Sequence, residues 1–217
     1  VKHIEELRVF LSNNMVDVLA INETRLDSTI SDNEIHVPGY EIVRRDRNPN
    51  GRFGGGVCFY IRSCINFSVR HDLSFEHLEN LCILVNKPRA KPFLIATWYR
   101  PPNSPIAKFD YLETLLGKLD SENIEHYLMG DFNCDLSSTV LDHNSKLLMD
   151  IVDLYNLSQL INEPTRITDS SSTSIDHIFT NAPDKVVCSG VSHVSISDHS
   201  LIYAFRKLSV GISTGVH

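Results

Sequence analysis

Ile4, Leu7, Phe10 and Leu11 recur three and four positions apart, so the chain opens on an amphipathic helix over 4–13. From Val16 the pattern changes. A short apolar run to Ile21 stops at Asn22-Glu23, and a polar loop follows. Further apolar runs lie at 40–44, 56–61, 65–69, 81–85 and 93–99. Each is rich in β-branched or aromatic residues and bounded by Gly, Pro, Asn or charged clusters, which is the pattern of strands. Helical spacing returns at 109–119 through Leu112, Leu115, Leu116 and Leu119, and again at 145–155. The stretches 126–129, 175–179, 186–187 and 201–205 read as strands. Asn50-Gly51 and Gly54-Gly55-Gly56 are turn chemistry, since no Gly-Lys-Ser/Thr ending or following helix makes them a phosphate loop. The Ser/Thr run at 170–174 reads as a flexible loop.

Strands arriving in succession, with few helices between them, predict sheet packed on sheet with helices outside. Strict βαβ alternation is absent, which argues against a doubly wound nucleotide-binding fold. A chain of 217 residues can bury a proper core, and one domain over 1–207 with a flexible tail or linker at 208–217 is expected.

Composition changes this picture little. Hydrophobic residues at 42% and charged residues at 22% describe an ordinary globular protein. No apolar run approaches the roughly 20 residues that span a bilayer. The first residues lack the basic and apolar segments of a signal peptide, so an intracellular protein, or an intracellular part of a larger one, is expected, with no membrane partner. The five cysteines include no C-x-x-C pair, so neither a disulfide framework nor a zinc knuckle is signalled. Cys134 adjoins Asn133 but has no neighbour that looks like an activating base. A net charge of −7 argues against a dedicated nucleic-acid binder with a basic face, although local distribution matters more than the sum. Arg44-Arg45-Asp46-Arg47 and Arg52 form a local basic stretch, readable as a phosphate contact or as a solvated loop.

Candidate chemistry sits at the ends of apolar runs: Ile-Asn-Glu-Thr at 21–24, Gly-Asp-Phe-Asn at 130–133, Ser-Ile-Asp-His at 174–177 and Ser-Asp-His-Ser at 197–200. Carboxylates suit a hard cation such as Mg²⁺, and imidazole suits a phosphate oxygen. Glu23 would bind the metal, or else pair with Arg25 at the surface. Strand alternation places Asp131 and Asn133 on one face and Phe132 on the other, so the pair could hold a water and a phosphate oxygen. An Asx turn would favour the same residues. Asp176 could fix the tautomer of His199 and raise its pKa, with Asp198 as a further ligand. His177 would point the opposite way and is structural. The Tyr99 hydroxyl could donate to phosphate and Arg100 could add charge, while Pro101-Pro102 stops the strand.

Taken in this order, these residues resemble the endonuclease/exonuclease/phosphatase superfamily, and above all the apurinic/apyrimidinic-like endonuclease domain of non-LTR (LINE-type) retrotransposons. Glu-Thr-Arg-Leu at 23–26, Tyr-Arg-Pro-Pro at 99–102, Gly-Asp-Phe-Asn, Pro-Thr-Arg-Ile-Thr at 164–168, Ser-Ile-Asp-His-Ile-Phe at 174–179 and Ser-Asp-His at 197–199 carry the likeness. It runs from about residue 4 to residue 206. The resemblance implies an α/β four-layer sandwich of two mostly antiparallel β-sheets flanked by helices, with the site in a cleft at one sheet edge. It implies Glu23 and Asp198 as metal-site acids, Asp131 acting on the attacking water and Asn133 positioning it. Asp176 and His199 would polarise the phosphate, with Tyr99 in contact with it. Arg25, Arg100, Thr165, Arg166 and Ser174 become candidates for substrate binding.

The implied activity is Mg²⁺-dependent nicking of one DNA strand, with Mn²⁺ as a possible substitute. The exposed 3′-hydroxyl would prime reverse transcription in the nucleus, by a polypeptide with further domains such as a reverse transcriptase. Two features depart from the superfamily pattern. Relatives begin with an Asn-bearing strand, whereas this chain starts at the helix after it, so a missing first strand is expected. Pro102 stands where several relatives have Asn, a feature that retrotransposon domains with Tyr-Arg-Pro-Pro share. Two other functions remain open at this level: a phosphomonoesterase of the same fold, and an inactive truncated or domesticated copy that binds nucleic acid or protein.

Overall fold

The computed structural model describes residues 3–47, 54–88, 90–194 and 196–207. Helix α1 (Ile4–Asn13) buries Leu11 and lays Ile4, Leu7 and Phe10 on one face of a three-stranded sheet. That sheet comprises β1 (Val18–Asn22), β2 (Tyr40–Arg45) and β3 (Val57–Arg62), antiparallel in the order β1-β3-β2. Leu19 and Ile21, Tyr40 and Ile42, and Cys58 and Tyr60 meet the helix. Their period of two sends Phe59 and Ile61 to the opposite face.

The larger sheet begins with β4 (Asn66–Val69), β5 (Glu79–Asn86) and β6 (Phe93–Tyr99). Helix α2 (Ala107–Ser121) then crosses over to β7 (His126–Asp131). After α3 (His143–Leu154) come β8 (Ser158–Gln159), a small hairpin of β9 (Arg166–Ile167) and β10 (Ser172–Thr173), and β11 (Asp176–Thr180). The sheet order is β4-β5-β6-β7-β11-β8, with β6 and β7 parallel and the other pairs antiparallel. A parallel pair requires a crossover, which α2 supplies. β12 (Val186–Ser192) and β13 (Leu201–Arg206) form a separate hairpin.

Two interiors result. Phe59 and Ile61 pack on Leu81, Ile83, Ile95, Tyr127 and Ile178 between the sheets. On the far face of the larger sheet, Cys82, Leu94, Trp98, Leu128 and Phe179 meet Leu112, Leu116 and Leu119 of α2 and Leu148 and Val152 of α3. Each fully buried leucine of α2 contributes about 1.5–3 kcal/mol. The layers are therefore helix, sheet, sheet, helices, as the sequence analysis expected. β6 is buried along its whole length because both of its faces are covered, which is why its sequence shows no alternation.

Four expectations change. Residues 172–173 pair with 166–167, so the Ser/Thr run at 170–174 is half of a hairpin, closed by the Thr168 N–H to the Ser171 carbonyl at 2.8 Å. β12 extends to Ser192, well past 187, through a small and polar stretch with an irregular register at 186–188. The basic stretch is not a solvated loop. Arg44 is paired with Asp46 at 2.7 Å and Asp32 at 3.0 Å, and Arg45 donates to the carbonyls of Phe75 and Asn80. β8 was not anticipated. In this topology β1 and β13 each pair along one edge, with β3 and β12 respectively. Asn50-Gly51, Arg52 and the expected tail at 208–217 lie outside the described residues. No helix among the described residues is long and apolar enough to cross a membrane.

Candidate active site

The site forms where β1, β6 and β7 end and β11 begins. Gly130 makes this possible. Its φ is +143°, and a Cβ there would lie 2.1 Å from the Trp98 carbonyl oxygen, so β7 approaches β6 only without a side chain. The Asn22 side-chain amide donates to the same carbonyl at 3.0 Å, and its oxygen accepts from the Thr97 hydroxyl at 2.9 Å. Asn22 thus joins the end of β1 in one sheet to β6 in the other, a role the sequence analysis did not find.

Glu23 follows with φ +55°, and Arg25 has φ +54°. This unusual loop is pinned to the glycine segment just before β3 by Thr24 N–H to Gly56 O at 3.2 Å and Arg25 N–H to Gly55 O at 2.8 Å. The Tyr99 hydroxyl donates to one Glu23 carboxylate oxygen, and Arg25 donates to the other at 3.2 Å. Burial alone would raise the Glu23 pKa, but these two bonds and the nearby Arg47 bring it below the usual carboxylate range. Tyr99 shifts the other way: burial and the adjacent Glu23 charge push its hydroxyl well above the usual phenol value.

Asp131 and Asp176 stand directly opposite each other on β7 and β11. The His199 Nδ1 lies 2.9 Å from Asp176 Oδ2. One potential ligand atom from each of Asp131, Asp176 and His199 falls within 4.8 Å of the others. The Asp131 N-terminal neighbour is the Gly130 just described; on its C-terminal side Asn133, at φ +48°, sends its N–H back to Asp131 Oδ1 at 3.0 Å. The Asn133 amide is fixed by donation to the Arg100 carbonyl at 2.9 Å. Burial, reinforced by the Asp176 charge, pushes Asp131 up to about 7. The hydrogen bond to Asp176 raises the His199 pKa against its burial. A carboxylate whose ionisation is opposed, beside an imidazole whose protonated form is favoured, makes a base and acid pair.

The remaining expected residues divide. Thr165 is fully buried, and its hydroxyl donates to Asp176 Oδ2 at 2.6 Å, so it orders the site from behind. Ser174 is also buried, with its Oγ unpartnered and its N–H on Asp135 Oδ1 at 2.9 Å. Arg166 adjoins His199 through a bridge and pairs with Asp198 at 2.9 Å. Asp198, expected as a metal-site acid, is not in the cluster: its side chain is 62% exposed and held outward by that pairing. Arg100, expected to add charge to the substrate surface, is 1% exposed, with its guanidinium 4.9 Å from the Phe109 ring. It follows a strand covered on both faces, so it turns inward. His177 is buried as expected, bonded to Gln159 and to the Cys134 carbonyl.

A family model described as the Endonuclease/Exonuclease/phosphatase family matches residues 1–199. The chain belongs to this family. The structure resembles the "Endonuclease domain of TRAS1, a telomere-specific non-LTR retrotransposon", at TM-score 0.76 and 15% identity over 95% of this chain and 93% of that one. It also resembles the AP endonuclease LMAP from Leishmania major, at TM-score 0.77 and 14% identity over 95% and 83% of the chains. D. rerio TDP2, solved with a single-strand DNA product, follows at TM-score 0.57 and 12% identity over 93% and 90%. No curated protein matches the chain. At these identities the neighbours show the shared fold of the endonuclease/exonuclease/phosphatase family.

The donor set of this family member fits a hard divalent cation. Asp131, Asp176 and His199 converge, and the charges of both Asp176 and Glu23 oppose ionisation of Asp131, a repulsion that a cation would relieve.

Proposed function

We propose that this domain is a Mg²⁺-dependent DNA endonuclease that nicks one strand, leaving a 3′-hydroxyl for target-primed reverse transcription. The observation that carries the reading is the opposition of Asp131 and Asp176 in register, with His199 on Asp176 and the Glu23–Tyr99 pair at the same sheet edge. Glu23 and the Asp131–Asp176 pair would hold Mg²⁺ or Mn²⁺, which supplies Lewis-acid charge at a phosphate oxygen.

The chain's own residues supply the rest. Asp131, buried opposite Asp176, takes a proton from the attacking water at a carboxylate oxygen. Asn133 orders the Asp131 carboxylate through its N–H. Asp176 accepts from His199 Nδ1, which leaves the protonated Nε2 to donate to a phosphate oxygen as negative charge builds. Water adds to phosphorus as the P–O3′ bond breaks, and the departing O3′ takes up a proton. The β9–β10 hairpin, with Ile167 54% exposed beside Arg166, adjoins His199 and would influence target choice. The TRAS1 likeness supports a place in a larger polypeptide with a reverse transcriptase, acting in the nucleus.

The test is end-group analysis of nicked plasmid. A polymerase should extend the nick without prior end treatment, and ligase should reseal it. Nicks that need a phosphatase before extension would refute the proposed bond cleavage.

A further inference from the structure

Beside Tyr99 a cleft of about 230 Å³ is lined by Arg47, His77, Glu79, Tyr99, Arg100 and Lys108, among others. Three permanent cations and an imidazole face a single carboxylate, in a chain whose net charge is −7. That carboxylate is already occupied: Glu79 accepts from Arg47 Nε at 2.6 Å and from the Gly56 N–H at 2.7 Å. Among the described residues no carboxylate is in ion-pair contact with Lys108 or Arg100. The Lys108 ammonium donates to the His77 carbonyl, which uses one of its three donors. Arg100 is buried, its bonds to the carbonyls of Ser104 and Phe132 are long at 3.3 and 3.5 Å, and its Nε has no partner. A buried guanidinium in this state favours a nearby anion strongly.

The cleft is also shaped for its arginine. A Cβ at Gly55 (φ +76°) would lie 2.1 Å from Arg47 Nε, so glycine keeps open the place where the guanidinium sits, 5.6 Å from the Tyr99 ring centroid. Tyr99 is therefore shared, with its ring beside this cleft and its hydroxyl on Glu23. A volume of this size, too small for a drug-sized ligand, suits a phosphate and part of its sugar. A cleft with this excess of cations over its one carboxylate concentrates such anions.

We propose that this cleft is a second phosphate subsite, holding a backbone phosphate that flanks the scissile one, with Lys108 and Arg47 as contacts and Arg100 supplying field from behind. The inference rests on the endonuclease reading only for the identity of the strand.

The test uses the full chain. Binding of a labelled DNA duplex is measured in EDTA across a salt series, nicking is measured with Mg²⁺, and inorganic phosphate is titrated by thermal shift. Lys108→Gln and Lys108→Glu are compared with wild type, and their melting curves verify folding. One lost phosphate contact should lower the log–log salt slope by about 0.9, hence duplex affinity by about eightfold at about 0.1 M salt. Lys108→Glu should lose more. Wild-type affinity and slope in both folded variants would overturn the subsite. So would Lys108-dependent binding of inorganic phosphate with unchanged DNA binding, which would assign the cleft to free phosphate. Lys108-dependent DNA binding without any nicking would support the subsite while refuting the endonuclease reading.

Discussion

Thr165 offers the sharpest separation between a side chain that touches substrate and one that orders the site. Its hydroxyl donates to Asp176 Oδ2 at 2.6 Å and accepts the N–H groups of Ile175 at 3.2 Å and Asp176 at 3.1 Å. Its backbone binds the Thr173 carbonyl and the Ser200 N–H, which ties the β9–β10 hairpin to the His199 segment. Thr165→Val keeps the shape and removes the oxygen. The charge-assisted bond is worth about 1.5–3 kcal/mol, and each N–H left without an acceptor costs about 1–3 kcal/mol. These terms overlap, so the expected loss is about 3–5 kcal/mol, near the upper end for single substitutions. Asp176 then holds His199 less firmly, and kcat should fall about 10–100-fold, as for loss of a residue that orients a reacting group. Thr165→Ser keeps the oxygen and loses one methyl group, worth about 0.8 kcal/mol, and should nick nearly as fast as wild type. Urea unfolding and single-turnover nicking measure both effects. A Thr165→Val protein within about 1 kcal/mol of Thr165→Ser and equally fast would refute the reasoning, because a surface threonine would behave that way.

Two further outcomes follow from the same geometry. Gly130→Ala should lower the melting temperature sharply and uncouple Asn22 from Trp98; a variant that melts with wild type would show that β7 can retreat from β6 at no cost. The raised pKa values of Asp131 and His199 make their protonated forms the stabilising ones, so this stability is full at acid pH and lost as pH rises through the folded values. The melting temperature in EDTA should therefore fall as pH rises from about 3.8 through about 7, least in Asp131→Asn, and Mg²⁺ should restore more at the higher pH. A flat profile that Asp131→Asn does not alter would contradict the crowded-carboxylate account.

Much of the site was legible because its acids and imidazole interrupt apolar runs. Glu23 and Asp131 fall where a strand stops and Asp176 where one starts, while their meeting at one sheet edge was implied by the family resemblance and not by the strand pattern. Side-chain direction was legible only where alternation held. Phe132 and His177 are buried opposite the site, as period two requires. Arg100 follows a strand covered on both faces, and its inward turn depends on Phe109 of α2, which no local pattern shows. Arg44 and Arg45 were readable as a phosphate contact or as a solvated loop because their partners Asp32, Phe75 and Asn80 lie far along the chain. The hairpin at 166–173 was hidden for a different reason: its strands are two residues each, too short for periodicity to register. Asn22 passed as a strand terminus because a link between sheets leaves no trace in either strand's own pattern.

The central claim is that Asp131 and His199 act with a divalent cation to cut one DNA strand. Nicking of supercoiled plasmid by the chain as described, with Mg²⁺, with EDTA, and with the Asp131→Asn and His199→Ala proteins, tests it most directly. The account predicts open-circle product that needs Mg²⁺ and falls to background in both variants while their folds persist. Nicking that survives EDTA or either substitution, or none at all from the folded wild-type chain, would contradict it.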